Sequence, residues 1–115
     1  MNVKPEYIIA DHIRAACFII ADGVKPSGKQ RGYILRRLIR RSLSAATKLN
    51  IDITNQNYFK DLVNTVLDIY DGVYPELIES KDLIISILSA ESQKYSKAIT
   101  RGQKEWSKVF KKAGI

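Results

Sequence analysis

The stretch IIADHIRAACFIIADGVKPSGKQRGYILRRLIRRS, residues 8–42, decides the fold, because it contains two helical patterns on either side of one loop. Before the loop, apolar residues recur at spacings of three and four, which predicts a helix that opens at Pro5 and ends before Gly23. The loop VKPSGKQRG, residues 24–32, leads into a second helix, predicted from about Gly32 to Leu49. The apolar stripe of the first helix comprises Ile8, Ile9, His12, Ile13, Ala16, Ile19 and Ile20.

The rest of the sequence is helical in pattern as well. Asn55 or Thr54 is a candidate cap for a third helix that reaches Asp71. Pro75 starts a further helical turn, and Asp82 is a candidate cap of the last helix. That helix repeats apolar residues over about thirty positions, or about 45 Å, so it either packs along all the others or meets something outside this chain. We predict a single all-α domain, residues 1–115: a four- to five-helix bundle with a long C-terminal helix.

Positive charge is concentrated in one segment of the chain. The 115 residues contain 19 Lys and Arg against 12 Asp and Glu, which gives a formal net charge of +7. Residues 23–50 contain eight of the bases and no acid, so this segment alone accounts for the surplus. A block of one sign attracts polyanions over roughly a Debye length, about 8 Å at physiological salt.

Four arginines of the second helix give the sharpest functional signal. At about 100° per residue they fall on the side opposite the apolar residues, and like charges at i,i+4 repel each other. The helix contains no carboxylate to relieve this repulsion, so an anionic ligand is the economical explanation. The guanidinium fork binds phosphate with two hydrogen bonds, and backbone amides at a helix start can hold a further phosphate. The set comprises Arg36, Arg37, Arg40 and Arg41, with Tyr33 beside them and Lys25, Lys29 and Arg31 in the preceding loop.

Residues suited to catalysis or metal binding are few. His12, the only histidine, lies within the apolar stripe, where a hydrogen-bonded core residue is favoured over a general base. Cys17 lies off that stripe with no histidine within a turn, so we expect no nucleophile there. One His and one Cys cannot build a zinc site, and no apolar run reaches the ~20 residues of a membrane span. We therefore expect no catalytic residue, no metal site, no membrane partner and a cytoplasmic location.

Residues 8–42 closely resemble the alanyl-tRNA synthetases just after their class II catalytic core. The matching segments are IADHIR at Ile9–Arg14, IADGV at Ile20–Val24, Pro26–Ser27, and RGYILRRLIRR at Arg31–Arg41. The later segment YPEL at 74–77, the acid Glu91 and the step Arg101–Gly102 are also similar to the family. The resemblance covers essentially the whole chain, which implies a helical portion of a longer synthetase.

What the resemblance implies is a tRNA-binding portion that positions the acceptor stem of tRNA-Ala for ATP-dependent aminoacylation by a core outside this chain. The parent would be an alanine–tRNA ligase with ATP and Mg in that core, zinc in an editing domain, and the rest of the synthetase in cis. This portion alone would be inactive and hold no cofactor. The family has an Asn after the Pro-Ser of the loop, where Gly28 offers only backbone groups. The predicted tRNA-binding residues are Lys25, Ser27, Gly28, Lys29, Arg31, Tyr33, Arg36, Arg37, Arg40 and Arg41.

Two other interpretations of the residues stay open. The chain is then either a stand-alone basic helical nucleic-acid-binding module without acceptor-stem preference, or a protein-interaction module whose long last helix binds a partner. A gel-shift comparison of tRNA-Ala with other tRNAs and duplex DNA distinguishes the first alternative from a synthetase portion that binds tRNA-Ala. Salt-insensitive behaviour without RNA binding favours the second, because nucleic-acid affinity falls steeply with salt.

Overall fold

Five helices joined by short connections make up residues 3–114, the part of the chain that the computed structural model describes, and no strand occurs there. This confirms the predicted all-α fold with a long C-terminal helix. In chain order the helices are α1 (Pro5–Ala21), α2 (Gln30–Lys48), α3 (Gln56–Ile69), α4 (Pro75–Glu79) and α5 (Lys81–Lys112).

Local residues explain most of the helix boundaries. Pro5 occupies the first turn of α1, where its missing N–H and fixed φ cost nothing. Gly23 and Asn50 follow α1 and α2 with φ of +94° and +60°, the left-handed conformation that ends a helix. Asn55 caps α3, since its side chain accepts a hydrogen bond of 3.0 Å from the Asn57 backbone N–H. The predicted ends of α1 and α2 and the predicted cap of α3 are therefore confirmed.

Three boundaries differ from the prediction, those of α2, α3 and α5. Helix α3 ends at Ile69 and does not reach the expected Asp71. Helix α2 starts at Gln30, two residues before the expected Gly32. Asp82 does not cap α5; it lies in the first turn, and Ser80 occupies the cap position. A carboxylate in the first turn still stabilises the helix through the macrodipole, which is why the sequence signal for a helix start was nearly correct.

Helix α1 contacts each of the other four helices, and so does α5. The buried side of α1 is rotated relative to the predicted stripe: Cys17, expected off the stripe, is 0% exposed, whereas the stripe residues Ile8, His12 and Ile19 are only half-buried. The largest fully buried side chains include Ile13, Ile20, Leu35, Ile39, Leu43, Phe59, Val63, Leu77, Ile84 and Leu88.

Helix α5 packs on the bundle with its first half and leaves it with its second. From residue 97 to residue 114 every residue is exposed except Gly102, which is half-buried. The chain measures 60 × 29 × 28 Å along its principal axes, as a projecting helix requires. Helix α5 therefore contacts all four other helices, while its second half extends beyond them. Four large apolar side chains are exposed on the projecting half: Ile99, Trp106, Val109 and Phe110.

None of the helices in residues 3–114 combines the length and the apolar content needed to cross a membrane.

Candidate nucleic-acid interface

Helix α2 has one apolar side and one cationic side. Leu35, Ile39 and Leu43 are at most 1% exposed and belong to the core that α2 shares with α1. Burying this side against α1 turns the opposite side of the helix outward, as the 3.6-residue period predicts. That outward side carries the half-buried Arg36 and Arg40 and the exposed Tyr33, Arg37 and Arg41.

Glu91 of α5 binds two of the four arginines. Its Oε1 accepts a hydrogen bond of 3.2 Å from Arg36 Nε, and its Oε2 accepts one of 3.4 Å from Arg40 Nε. Arg36 Nη2 also lies 3.2 Å from Oε1. The expectation of four unopposed arginines is therefore wrong for Arg36 and Arg40, because a neighbouring helix supplies the carboxylate that α2 itself lacks.

Burial explains why Glu91 gathers several cations. Its side chain is 2% exposed, and a carboxylate removed from water without partners costs several kcal/mol. Lys94 Nζ, 3.9 Å from Oε1, is a third cationic neighbour. We call Arg36, Arg40, Lys94 and Glu91 the Glu91 cluster; three positive charges against one negative charge leave it with a surplus of two.

Arg37 and Arg41 have no carboxylate within ion-pair distance among residues 3–114. Arg41 lines a cleft of about 590 Å³ between the start of α1 and the end of α2, together with Lys48. The carboxylate that lines this cleft, Asp11, lies 3.2 Å from Arg14 and so is already paired. This part of α2 therefore presents exposed positive charge that the described residues do not neutralise.

The loop before α2 is held against the start of that helix. The Ser27 N–H donates to the Gly32 carbonyl oxygen at 3.1 Å, and Ser27 Oγ donates to the Lys29 carbonyl oxygen, also at 3.1 Å. Gly32 is buried, and a Cβ there would collide with Ser27 Oγ and lie 2.6 Å from the Lys25 carbonyl oxygen. Only glycine at position 32 lets the loop approach the helix this closely.

The cations of the loop and of the first turn of α2 differ in whether a carboxylate pairs with them. Lys25 and Lys29 are exposed, whereas Arg31 Nη2 lies 2.6 Å from Asp22 Oδ2. Both partners of that pair are more than 60% exposed, so the pair contributes little to stability and leaves Arg31 accessible. A Cβ at Gly28 meets open space, and its φ lies outside the positive range, so a side chain fits at this loop position.

His12 and Cys17 lack the surroundings of catalytic residues. His12 Nδ1 lies 3.3 Å from Asp11 Oδ2 but is buried without a hydrogen-bond partner among residues 3–114, so the hydrogen bond expected for it is not found at this atom. Burial raises the pKa of the Cys17 thiol to about 12, which keeps it protonated and unreactive. No group of three or more His, Cys, Asp or Glu side chains in the described part of the chain is arranged to hold a metal ion.

Glu91 is the functional neighbour that the charge pattern of α2 did not reveal. The signal for it lies in α5, where Glu91 occupies a position of the apolar three-four repeat between Leu88 and Tyr95. Glu is almost never fully buried unless it is paired, so a lone carboxylate at a core position predicts a cationic partner. Periodicity alone does not say which cation that partner is.

A family model described as tRNA synthetases class II (A) matches residues 2–114. The alanine–tRNA ligase of Borreliella afzelii (strain PKo) is 49% identical over 104 residues, which are 89% of this chain and 17% of that relative. The alanine–tRNA ligase of Xanthomonas axonopodis pv. citri (strain 306) is 41% identical over 102 residues, 89% of this chain and 11% of that relative. The alanine–tRNA ligase of Mesoplasma florum (strain ATCC 33453) is 42% identical over 103 residues, 90% and 11% of the two chains.

The chain therefore spans less than a fifth of the length of these relatives. The resemblance found in residues 8–42 and in the later segments extends over nearly all of the chain. With a family model matched from residue 2 to residue 114, the chain belongs to the class II (A) tRNA synthetase family.

Proposed function

We propose that this chain is the tRNA-binding helical portion of an alanine–tRNA ligase. In this proposal it positions the acceptor stem of tRNA-Ala so that the 3′ end reaches a catalytic core outside the chain, where ATP-dependent aminoacylation takes place. The observation that carries the proposal is the cationic side of α2. Arg37 and Arg41 have no carboxylate partner among residues 3–114, and the Glu91 cluster beside them keeps two surplus positive charges.

The spacing of Arg37 and Arg41 suits a phosphate backbone. They stand four residues apart, about 6 Å along the helix axis, on one side of α2. Each guanidinium binds phosphate in bidentate fashion, and such contacts fix the register of a nucleic acid without reading its bases. Because side chains do not read the deep, narrow major groove of A-form RNA, α2 lies against the backbone of the stem in this proposal.

The paired arginines are pre-positioned phosphate donors in the same proposal. Glu91 holds Arg36 and Arg40 in place, while their side chains stay 28% and 39% exposed. A guanidinium has five N–H donors, so the ones that Glu91 does not use remain available to RNA. A donor whose orientation is already fixed loses less entropy on binding than a free surface side chain.

The loop before α2 extends the proposed surface towards the end of the stem. Our predicted tRNA contacts there stay Lys25, Ser27, Gly28 and Lys29 of the loop and Arg31 of the first turn of α2. Gly28 contributes backbone groups alone, and the Arg31–Asp22 pair is exposed enough for a phosphate to displace the carboxylate. Tyr33, 52% exposed, completes the surface as a stacking or hydrogen-bonding side chain.

The rest of the synthetase in cis is the second proposed partner. In this proposal ATP with Mg belongs to the catalytic core and zinc to an editing domain, both outside this chain, and the whole protein works in the cytoplasm. An apolar groove of about 610 Å³ between α1 and α3, lined by Tyr7, Leu62 and Ile69 among others, supports contact with another part of the parent.

The test is a double substitution, Arg37→Ala with Arg41→Ala, assayed by titrating tRNA-Ala at several salt concentrations. We expect weaker binding and a salt slope reduced by about 2, one for each lost phosphate contact. Lys4→Ala with Lys60→Ala is the matched control, because it removes the same charge from exposed positions elsewhere. The proposal fails if the arginine variant binds tRNA as tightly as the parent and the control.

A protein-interaction module is the second candidate, and the exposed apolar side of the projecting α5 favours it. The gel-shift comparison distinguishes it from both nucleic-acid functions. Preference for tRNA-Ala supports the synthetase function, equal binding of other tRNAs and duplex DNA supports a general nucleic-acid module, and no salt-sensitive binding of any of them supports the protein module.

A further inference from the structure

From Lys94 onward, helix α5 carries seven cations in addition to the arginines of α2, and six of the seven lie on its projecting half. At about 100° per residue, all seven lie within an arc of about 100° on one side of the helix. The stripe extends over about 27 Å, from the edge of the bundle to the last turn of α5. We call these residues the α5 stripe: Lys94, Lys97, Arg101, Lys104, Lys108, Lys111 and Lys112, all of them exposed.

Little negative charge opposes the α5 stripe. Between residues 94 and 112 the sequence contains one acid, Glu105, whose Oε1 lies 3.6 Å from Lys108 Nζ. The pairs Lys97–Arg101 and Lys104–Lys108 place like charges at i,i+4, where each pair destabilises a helix by a few tenths of a kcal/mol. The cations of this projecting helix lie along one side and are not interleaved with acids. Their electrostatic field therefore attracts an extended polyanion.

The stripe is continuous with the surface of the proposed function. Lys94, its first member, is also a member of the Glu91 cluster and lies 3.9 Å from the carboxylate that holds Arg36 and Arg40. Positively charged side chains therefore follow one another from the exposed side of α2, through the Glu91 cluster, and along α5. An RNA bound at α2 has the stripe within its reach.

We propose that the α5 stripe is a second RNA contact, which binds the phosphate backbone of a more distant part of the same RNA that α2 holds. This inference rests on the proposed function for the identity of the partner, but not on the contacts of Arg37 and Arg41. The stripe makes no base contacts, so it adds affinity and orientation and leaves sequence preference unchanged.

The geometry favours RNA over an anionic membrane. Ile99, Trp106 and Val109 lie on the side of α5 about 120° to 200° away from Lys97, opposite the centre of the stripe. A helix that lies in a membrane surface also carries Trp and Phe on one side and Lys and Arg on the other, so this pattern alone does not choose between RNA and lipid. The contact of Lys94 with the Glu91 cluster favours RNA, because the α5 stripe begins at the surface that the proposed function assigns to RNA.

The experiment compares three forms of this chain: the parent, a stripe variant (Lys97→Gln, Arg101→Gln and Lys104→Gln), and a charge-matched control (Lys4→Gln, Lys60→Gln and Lys81→Gln). Gln is a good helix former and the stripe positions are exposed, so helicity by circular dichroism should be unchanged. For whole tRNA-Ala we expect the stripe variant to bind at least about tenfold more weakly at 0.1 M salt, with a salt slope lower by 2 to 3 than that of the control.

An RNA hairpin with only a few base pairs distinguishes the two contacts. It is too short to occupy α2 and the length of the stripe at once, so the stripe variant should bind it nearly as well as the parent does. A stripe variant that matches the control on whole tRNA, while Arg37→Ala with Arg41→Ala weakens binding, overturns this inference and leaves the proposed function intact. If neither variant weakens tRNA binding, the proposed function fails as well.

Vesicles of phosphatidylserine and phosphatidylcholine test the membrane interpretation. We expect the parent to show no stripe-dependent binding to them. If the stripe variant loses vesicle binding and keeps full tRNA affinity, the stripe is a lipid-binding surface and the inference is wrong.

Discussion

Two arginine pairs on α2 share their residue type, their i,i+4 spacing and their helix, yet they have different surroundings. Arg36 and Arg40 both hydrogen-bond to the buried carboxylate of Glu91, whereas Arg37 and Arg41 face outward without a carboxylate partner among residues 3–114. Arg36 and Arg40 therefore link α2 to α5 and also belong to the cationic surface. A run of arginines on a helix therefore identifies a cationic side, and the neighbouring helix decides which of them contribute to stability.

The largest expected effect comes from removing the paired arginines. Arg36→Ala with Arg40→Ala leaves Glu91 buried with only Lys94 near it, so the free energy of unfolding should fall by about 3 kcal/mol. Urea denaturation measures this change. Arg37→Ala with Arg41→Ala is the matched comparison and should change the same free energy by less than about 0.5 kcal/mol. Equal losses of stability in the two variants would contradict the claim that only Arg36 and Arg40 stabilise the bundle by pairing with Glu91.

Gly28 in the loop and Gly32 in the first turn of α2 extend the same contrast, because Gly32 is packed against neighbouring atoms and Gly28 is not. Gly32→Ala places a Cβ against Ser27 Oγ and the Lys25 carbonyl oxygen, so the free energy of unfolding should fall by about 2 kcal/mol. Gly28→Ala is the control, because its Cβ meets open space and should change stability by no more than about 0.5 kcal/mol. Thermal unfolding compares them, and an unaffected Gly32→Ala variant would show that the loop moves away at little cost.

Glu91→Gln tests the comparison directly, because Glu91 is the residue that pairs with Arg36 and Arg40. The substitution keeps the shape of the side chain but removes its charge, so the free energy of unfolding should fall by about 1 to 2 kcal/mol. The surplus of the Glu91 cluster rises from two positive charges to three, so the affinity for tRNA should increase a few-fold at low salt. Opposite changes of stability and affinity are the expected signature. A loss of both would indicate that Glu91 orients Arg36 and Arg40 for RNA and that their orientation matters more than their number.

Near neutral pH the smallest expected effect concerns Cys17, because its thiol changes stability only at high pH. Burial raises the pKa of its thiol from an ordinary value of 9.0 to about 12 in the folded chain. The unfolded chain thus releases the thiol proton at lower pH, so this group lowers stability progressively between about pH 9 and about pH 12 and has no effect below that range. Cys17→Ala should have a shallower decline of stability across that interval than the parent, as measured by urea denaturation. An identical decline would contradict the burial of the thiol.

Much of the fold was predictable because its signals are local. Pro5, Gly23, Asn50 and Asn55 mark helix ends through backbone chemistry that depends on a few neighbouring residues. The cationic side of α2 follows equally from the 3.6-residue period. The prediction that Cys17 lies off the buried stripe was wrong because a period identifies the most apolar side of a helix, whereas the neighbouring helices decide which part of that side and of its flank is covered.

The candidate site was predictable only in outline. The ten residues expected to bind tRNA lie on α2 and its preceding loop, but their pairing depends on partners far away in the chain. Glu91 is separated from Arg36 by 55 residues and from Arg40 by 51. The apolar repeat of α5 continues beyond the bundle, so the repeat did not reveal that the helix leaves the bundle near residue 97.

The amino-acid sequence alone determined that the chain is helical, that α2 has an apolar and a cationic side, and which family it resembles. These features follow from periodicity, capping and motif, each of which is encoded by residues a few positions apart. The tertiary structure alone decided which arginines are paired, which side of α1 is buried, and that half of α5 projects. The physical reason is that burial and ion pairing depend on which surfaces meet when the helices pack, and local spacing does not specify that.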